Sequence, residues 1–336
     1  MKKLFLSLLV FFFLSDVLVA WGFFAHRRIN RLAVYSLPPE MLGLFKENIQ
    51  FITENAVNPD RRRYAVMGEA EKHYIDLEAF GDSAAYRLPR YWQDAVDLYT
   101  EDTLRRYGIG PWNVHRTTIQ LTKAFEEKNK KSILRLAADL GHYIGDLNVP
   151  LHTTRNYNGQ LTGQVGIHAF WESRVPELLS DDFDFFVGKA SYIDNTQLAI
   201  WEAVIQAHTA LDSVLNVEKI LSDRFEADKK YSFEERGNIN TRVYSKEFTT
   251  AYHQALDAQV ERQMRKSVKM IADFWYTAWI NAGQPDLKEL QRKPMEVDTE
   301  EIHVGPKPQN IREHEGYLVQ PDPDPRRAFI SSMWRP

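Results

Sequence analysis

The chain has 336 residues, of which 44% are apolar and 12% aromatic, so it is long enough to bury at least one large hydrophobic core. Its 42 basic and 46 acidic residues give a net charge of −4, which excludes a general basic surface for binding polyanions. Cysteine is absent, which excludes disulfide bonds and thiolate metal ligands. The protein must therefore take its stability from its core or from bound metal.

Residues 1–20 have the layout of a secretory signal peptide. Lys2 and Lys3 precede an apolar run over residues 4–14, and the small residue Ala20 ends the segment. Cleavage after Ala20 would make Trp21 the first residue of an exported protein, periplasmic or extracellular. The alternative is an uncleaved membrane anchor, although the apolar run is short beside the roughly 20 apolar residues that a spanning helix needs.

Apolar residues at three- and four-residue steps predict helices along most of the remaining chain. Such stripes cover residues 133–144, 198–221 and 256–279, and the last one stops at Gly283. No convincing series of alternating, strand-like runs is present. The pattern predicts an all-α domain over residues 21–283, with long loops at residues 58–71, 155–166 and 179–186.

Residues 284–336 differ in composition from the rest of the chain. They contain eight of its fifteen prolines, including the stretch PDPDP. Proline-rich segments of this kind do not form a packed core. We therefore predict an irregular, extended C-terminal tail.

Three histidines and two acidic residues lie close together between residues 142 and 172. His142 and Asp146 are four residues apart near the end of a predicted helix, so both side chains project from one face. His168 and Glu172 repeat this spacing, and His152 follows a proline that we expect to keep it outside a helix. Imidazole and carboxylate are the ligands that zinc takes where cysteine is missing. Without a cation such a cluster would leave costly buried charge, so we predict a metal site rather than a solvated polar face.

Two stretches upstream offer further metal ligands. His26 lies five residues after Trp21, and Asp60 lies thirteen residues before His73. After cleavage of the leader, Trp21 would carry a free amine that can bind a metal together with its own carbonyl oxygen. Taken alone, each stretch fits an ordinary protein surface as well as a metal site.

Together these residues resemble a known metal centre. In order and type they are similar to the nine ligands of the trinuclear zinc site shared by bacterial zinc-dependent phospholipases C and the single-strand-specific zinc nucleases of fungi and plants. The similarity extends over residues 21–283, and its most specific part is HYIGDLNVPLH at residues 142–152. It implies a multi-helix fold of the phospholipase C or nuclease type. The nine matching residues are Trp21, His26, Asp60, His73, His142, Asp146, His152, His168 and Glu172.

The resemblance also implies how these residues divide among three zinc ions. The first set is Asp60, His73, His142 and Asp146. The second set is the amine and carbonyl of Trp21, His26 and the shared carboxylate of Asp146. The third set is His152, His168 and Glu172.

A centre of this kind would hydrolyse a phosphodiester. Two zinc ions that share a carboxylate can deprotonate a water, since one zinc already lowers the pKa of bound water to about 7, and the hydroxide attacks phosphorus. Asp60 would accept a proton while it ligates zinc. Arg63 follows Asp60 by three residues, as an arginine does in the nucleases, and would hold the phosphoryl oxygens. The alternative is that Arg63 is a solvated member of an arginine run at residues 61–63.

Two neighbours of His73 are candidates for supporting roles. Tyr74 stands where both branches of the superfamily tend to have an aromatic residue near the substrate, and a core aromatic is the alternative. Asp76 would hold a ligand imidazole by its second nitrogen, or begin a helix or turn. We predict structural roles for the histidines without acidic partners at ligand spacing, which are His115, His208 and His253.

Features around the zinc ligands conflict over the substrate. The interval from Trp21 to His26 and the position of Arg63 resemble the nucleases. The short interval from His152 to His168 and the aromatic final helix resemble the phospholipases. Secreted nucleases of fungi and plants also carry disulfides, which this chain cannot form because it has no cysteine. We therefore predict a secreted zinc-dependent phosphodiesterase of the phospholipase C type, with single-strand nuclease or 3′-nucleotidase activity as the alternative.

A hypothesis of another class is a zinc-stabilised, non-catalytic secreted binding protein. If the protein is an enzyme, its substrate is a phospholipid or a nucleic acid, and a phospholipid would bring peripheral contact with a membrane. No obligate protein partner is evident from the sequence.

Overall fold

The structure is a computed structural model that describes residues 22–236 and 239–292. Trp21, the predicted leader and residues 293–336 of the predicted tail lie outside the described residues. The described part of the chain is built from α-helices and one β-hairpin, which confirms the predicted all-α class. The helices are α1 (Phe23–Ala33), α2 (Pro39–Glu47), α3 (Ile49–Asn55), α4 (Asn58–Arg62), α5 (Ala84–Arg87), α6 (Trp92–Tyr99), α7 (Glu101–Tyr107), α8 (Gly110–Glu126), α9 (Lys130–Asp146), α10 (Ile167–Ala169), α11 (Val175–Leu179), α12 (Thr196–Arg224), α13 (Ala227–Lys230), α14 (Lys246–Ala255), α15 (Gln259–Asn281) and α16 (Lys288–Arg292).

A π-helix, a β-hairpin and several 3-10 turns join these helices. A π-helix at Phe170–Arg174 runs from α10 into α11. The hairpin consists of β1 (Tyr231–Arg236) and β2 (Ile239–Tyr244), which pair antiparallel with Tyr231 opposite Tyr244. The 3-10 turns are Val34–Ser36, Ala70–Lys72, Leu77–Phe80, Pro150–Thr153 and Ser180–Asp182.

Helix α9 lies in the core and carries two of the predicted metal ligands. Asn129 caps its first turn, with the side-chain oxygen accepting a hydrogen bond from the Ser132 N–H at 3.0 Å. Residues 136–146 are all buried, and the helix packs against α1, α3, α8 and α15. The indole of Trp275 on α15 donates to the Ala137 carbonyl at 3.0 Å. The C-terminal half of α9 is therefore held on all sides, and side chains there have fixed positions.

The β-hairpin was not predicted from the sequence. Its first strand contains Glu234, Glu235 and Arg236, and Phe233 at its centre is 74% exposed. Only the end of the second strand is buried, at Val243 and Tyr244. Two short strands that are mostly polar do not give the alternating apolar pattern from which strands are recognised.

The loop predicted over residues 58–71 is wrong at both ends. Residues Asn58–Arg62 form α4, and Ala70–Lys72 form a 3-10 turn. Pro59 stands in the first turn of α4, where its missing N–H costs nothing. For the same reason Pro150 begins the 3-10 turn that contains His152, instead of excluding His152 from helical structure.

The long apolar stripe that ends at Gly283 belongs to two helices. α15 begins at Gln259, and Leu256 lies in the junction after α14. Asp257 and Ala258 have φ values of 51° and 54°, in the left-handed region that interrupts a right-handed helix. Leu256 is nevertheless buried with the rest of the stripe, because the apolar pattern reports burial and not helix continuity.

The packed domain continues past the predicted boundary at Gly283. α16 packs against α2, and both Leu287 and Leu290 are buried. The first residues of the predicted tail, up to Arg292, therefore belong to the folded part of the chain. Among the described residues, no helix has the length and apolarity needed to cross a membrane.

Candidate metal centre

α1 crosses α9 closely at two glycines. A Cβ atom on Gly145 would lie 2.8 Å from Ile29 Cδ1 and 3.1 Å from His26 Nδ1. One on Gly141 would lie 2.0 Å from Asn30 Oδ1. Only glycine leaves room for this approach. The two glycines flank His142 in the sequence, so they bring α1 against the face of α9 that carries the predicted ligands.

The first group of potential ligands consists of His26, His142 and Asp146. All three side chains are buried, and their ligand atoms lie within 4.8 Å of one another. His26 Nε2 is 3.2 Å from Asp146 Oδ1. The rings of His26 and His142 stack with their centroids 4.0 Å apart. The i, i+4 spacing on α9 thus presents both of its ligands to α1.

The second group consists of Asp60, His73 and His142. Asp60 Oδ1 is 3.7 Å from His73 Nδ1 and 3.6 Å from His142 Nε2. Asp146 Oδ2 is 2.9 Å from His73 Nδ1 and 3.3 Å from His142 Nε2. Asp146 therefore stands between the two groups, with one carboxylate oxygen facing each. This is the position that a shared carboxylate requires.

The third group consists of His152, His168 and Glu172. His152 Nε2 is 3.2 Å from His168 Nε2 and 3.3 Å from Glu172 Oε2. His168 Nε2 is 3.0 Å from Glu172 Oε2. Side chains from the 3-10 turn Pro150–Thr153, from α10 and from the π-helix thus converge on one point.

The π-helix Phe170–Arg174 carries Glu172, and the β-hairpin holds this segment in place. Arg174 is buried, and its Nη1 donates to Glu234 Oε2 at 2.9 Å while Nε donates to the Tyr244 carbonyl at 3.0 Å. The ring of Phe170 stacks on Tyr244 with the centroids 3.9 Å apart. Short π-helical segments frequently lie at functional sites. The hairpin therefore orients Glu172 without contributing a ligand.

Backbone carbonyls orient three of the histidines. A carbonyl can only accept, so each Nδ1 carries the proton and leaves Nε2 free to bind a cation. This fixes the tautomer of each ring. The bonds run from His142 to Ala56 (2.8 Å), from His152 to His73 (2.7 Å) and from His168 to Tyr157 (3.1 Å). Ala56, His73 and Tyr157 make these contacts through backbone carbonyls, which every residue type carries. Sequence reasoning missed the contacts for that reason.

Arg63 is buried next to the second group. Its side chain is 2% exposed, and Nη1 lies 4.0 Å from Asp60 Oδ1. Among the described residues, Nε and Nη1 find no hydrogen-bond partner. The alternative of a solvated arginine is therefore wrong for Arg63. The donors of this buried guanidinium are of the kind that bind carboxylate or phosphate oxygens.

Tyr74 and Asp76 lie close to His73 in the chain but are positioned by other contacts. Tyr74 is 7% exposed and lies against Gly108, where an added Cβ would be 2.7 Å from Tyr74 Cδ2. Asp76 is buried, and its backbone N–H donates to the Tyr107 carbonyl at 2.7 Å. A substrate contact for Tyr74 and a hydrogen bond from a ligand imidazole to Asp76 both stay predictions.

A polar network behind the ligands was not predicted. The ring of Tyr143 meets the His73 ring edge-on at 5.4 Å, and its hydroxyl donates to Glu69. Glu69 also accepts from Lys72 at 2.7 Å and from Arg62 at 3.3 Å. Burial favours the neutral form of Glu69, but the charges of Arg62 and Lys72 outweigh it and lower its pKa to about 2. Glu69 therefore stays charged and anchors the ring that packs on His73.

The three histidines with predicted structural roles do not belong to a metal group of the described residues. His115 Nδ1 is 2.8 Å from Thr196 Oγ1, and His208 Nδ1 is 3.0 Å from Thr153 Oγ1. The ring of His253 stacks on Phe183 at 5.1 Å.

The donor set fits a divalent cation. Asp60 Oδ1 and Asp146 Oδ1, which face histidines of the first two groups, are buried without a hydrogen-bond partner among the described residues. Burial opposes charge on His142, yet the carboxylates of Asp146 and Asp60 raise its pKa to about 9. Burial lowers the pKa of His73 to about 4, despite Asp146. The two carboxylates thus favour a positive charge on His142 but not on His73, and imidazole and carboxylate donors converge here as zinc requires.

The fold and the three groups define an all-α protein with a candidate metal centre. No family model matches the chain, and no curated protein matches it. Among solved structures, it is similar to the alpha toxin from Clostridium absonum, with 11% sequence identity, a TM-score of 0.47, and coverage of 81% of this chain and 66% of that chain. It is also similar to the alpha-toxin of Clostridium perfringens from an avian strain, with 11% identity, a TM-score of 0.44 and the same coverage of 81% and 66%. The chain thus spans slightly under two thirds of the length of these proteins.

Proposed function

We propose that this protein is a secreted zinc-dependent phosphodiester hydrolase of the phospholipase C type. The observation that carries the proposal is the buried guanidinium of Arg63, with free donors, beside ligand groups that share Asp146. A permanent positive charge next to a metal centre suits a phosphate ester and has no use in a purely structural site. The resemblance to zinc phospholipases C and zinc nucleases supports the same reaction class.

The residues that would hold the zinc ions are those of the three groups. Asp146 would be shared between the first two ions, since its two oxygens face different groups. The amine and carbonyl of Trp21 would complete the His26 set after cleavage of the leader. Gly22, which follows Trp21, lies close to Glu172: an added Cβ would be 3.4 Å from Glu172 Oε1. Gly22 also lines one pocket with His26 and Glu172, which supports a terminal ligand near these groups.

Zinc would supply Lewis acidity and activate water for attack on phosphorus. The residues of the chain bind the ester and manage its charge. Arg63 would donate to the non-bridging phosphoryl oxygens and hold the phosphate in place as negative charge develops on it. The side chain of Asp60 is 15% exposed whereas those of His73 and His142 are not exposed at all, so Asp60 faces the approach to the centre. Its carboxylate would take up the proton released by the attacking water.

Single-strand nuclease or 3′-nucleotidase activity is the second candidate. The position of Arg63 three residues after Asp60 favours it, because this spacing resembles the nucleases. A non-catalytic binding protein is the hypothesis of another class. The third group argues against it: His152, His168 and Glu172 supply three ligands, as in catalytic zinc sites, whereas structural zinc takes four.

The hydrolase proposal is tested with bis(p-nitrophenyl) phosphate. We expect the zinc-loaded mature protein to release p-nitrophenol, and a chelator or His142→Ala to abolish the release. Metal analysis of the same sample shows whether the centre is loaded. A fully loaded protein that does not hydrolyse this ester would overturn the proposal in favour of the binding protein.

The substrate class is tested by offering phosphatidylcholine vesicles and single-stranded DNA in parallel. Release of diacylglycerol without nucleotides supports the phospholipase type, and release of nucleotides without diacylglycerol supports the nuclease. A variant with one extra residue before Trp21 tests the terminal ligand: we expect it to bind one zinc fewer than the mature protein.

A further inference from the structure

Two arginines beside the metal centre lack the partners that their neighbours have. Arg62 pairs with Asp139 at 3.0 Å, and Arg28 pairs with Asp181 at 2.8 Å. Arg27 and Arg61 have no carboxylate oxygen within 4.0 Å among the described residues. Arg27 Nε is buried without a hydrogen-bond partner, and Arg61 donates only to the side-chain amide oxygen of Asn58, at 3.3 Å. Within the described part of the chain, neither guanidinium group thus has an ion-pair partner.

The ring of Phe23 holds these two guanidinium groups near each other. Arg27 lies 5.8 Å and Arg61 lies 5.6 Å from the Phe23 ring centroid. The ring itself is buried, so it serves as a fixed support. Cation–π contacts of this kind restrict the arginine side chains without neutralising their charge. The pair is therefore positioned before any ligand arrives.

Both arginines line one cleft between α1, α3 and α4. The cleft has a volume of about 480 Å³, and its remaining walls are Gln50, Thr53 and Glu54. Glu54 is the one acidic residue among them, and it accepts a hydrogen bond from Gln50. The walls thus offer two guanidinium forks, while the Thr53 hydroxyl already donates to the Ile49 carbonyl at 2.7 Å and the Gln50 amide already donates to Glu54. This set of donors suits a phosphate group.

The cleft shares its supporting elements with the candidate metal centre. Arg27 follows His26 in α1, and Arg61 follows Asp60 in α4. The end of α3, which forms the third wall, is fixed to the centre through the hydrogen bond from His142 to the Ala56 carbonyl. All three walls of the cleft therefore belong to elements that also position metal ligands.

From these contacts we infer that the cleft is a subsite for a second phosphate group of the substrate, adjacent to the ester that is cut. The inference rests on the proposed hydrolase function and deepens it, since it selects substrates that carry an additional phosphate. A flanking phosphate of a nucleic acid and a phosphorylated lipid headgroup present the same chemistry. A zwitterionic lipid such as phosphatidylcholine does not present it.

The test compares matched substrates that differ by one phosphate. The pairs are the dinucleotide pdTpdT against dTpdT, and phosphatidylinositol 4-phosphate against phosphatidylinositol in mixed micelles. We expect the additional phosphate to raise kcat/KM about tenfold, and Arg27→Gln or Arg61→Gln to remove most of this advantage. Because the advantage is a ratio within one variant, a general loss of activity cancels from it.

Two further variants sharpen the test. Arg116→Gln removes an exposed arginine of α8 that does not line the cleft, and it should leave the ratio unchanged. Glu54→Gln removes the one acidic wall, and it should increase the ratio. Each arginine variant should also make the plot of log kcat/KM against log salt concentration less steep, by roughly one unit of slope. A loss of packing alone would not change this slope.

Each outcome decides the inference. An advantage in the nucleotide pair alone identifies nucleic acid as the source, one in the lipid pair alone identifies the headgroup, and one in both identifies phosphate as such. No advantage in either pair, or an advantage that survives both arginine variants, overturns the inference while the hydrolase proposal stands. If bis(p-nitrophenyl) phosphate is not cleaved, the hydrolase proposal fails by itself, and equilibrium dialysis of pdTpdT against wild type and Arg27→Gln then decides whether the cleft binds phosphate.

Discussion

Several side chains of the candidate centre are oriented by specific contacts. Asp146 presents its two oxygens to different histidines, and Ala56, His73 and Tyr157 fix the imidazole tautomers through their carbonyls. Arg63 lies 4.0 Å from Asp60, but its Nε and Nη1 have no hydrogen-bond partner in the described part of the protein. A charge left in this state costs free energy unless a ligand uses it.

The Arg63→Gln variant tests whether the guanidinium binds the phosphoryl oxygens of the substrate. Because the amide cannot replace a charged fork on the phosphoryl oxygens, we expect kcat/KM for bis(p-nitrophenyl) phosphate to fall about 10²–10³-fold. Bound zinc should stay at the wild-type level, since Arg63 is not a ligand. Arg63→Lys keeps the charge and should recover part of the loss. Wild-type kinetics in Arg63→Gln would show that the guanidinium does not touch the ester.

At the scale of elements, close packing decides where the ligands meet. α1 reaches α9 only because Gly141 and Gly145 have no side chains, and the β-hairpin fixes the π-helix through Arg174 and Phe170. The sequence contains all these residues but shows none of these contacts. From the sequence, the i, i+4 pairs on α9 and at residues 168–172 were predictable, because their spacing is local. The meeting of α1, α4 and α9 was implied only by the resemblance.

Gly145→Ala tests the contact between α1 and α9. The added methyl group would overlap Ile29 Cδ1 at 2.8 Å and press on His26 Nδ1 at 3.1 Å, so α1 must move. We expect a loss of about 1–3 kcal/mol in the free energy of unfolding, and one bound zinc fewer than in wild type. Calorimetry and metal analysis measure the two effects.

Ile29→Val serves as the control for that variant. Alone it should keep the full zinc content, and combined with Gly145→Ala it should restore part of the stability by making room. Full zinc content in Gly145→Ala would contradict the role given to the glycine.

For the whole molecule, the candidate metal centre lies within the core, so a metal bound there would add to the stability of the fold. Helix α9 is buried over residues 136–146 and contributes ligands to two of the three groups. A core that contains converging carboxylates and imidazoles loses a stabilising cation when it is stripped. No disulfide bond compensates, because the chain has no cysteine.

Removal of metal with a chelator should therefore lower the Tm. Ions present at about 100 times their Kd contribute roughly 2.7 kcal/mol per site, which corresponds to a Tm change on the order of 4–5 °C per site for a protein of this size. His142→Ala is the control: its Tm should already be low and should respond less to the chelator. A wild-type Tm that does not change on chelation would show that metal bound to these groups does not stabilise the fold.

The sequence by itself determined the helical class and the ligand pairs on α9 and at residues 168–172, because both depend on periodicity along one element. Composition also determined that no thiol or disulfide takes part. Only the tertiary structure decided that Arg63 is buried while Arg61 is exposed, that α4 replaces part of a predicted loop, and that Arg27 and Arg61 share a cleft. Burial and long-range contact depend on which elements pack together, and neighbouring residues in one sequence do not contain that information.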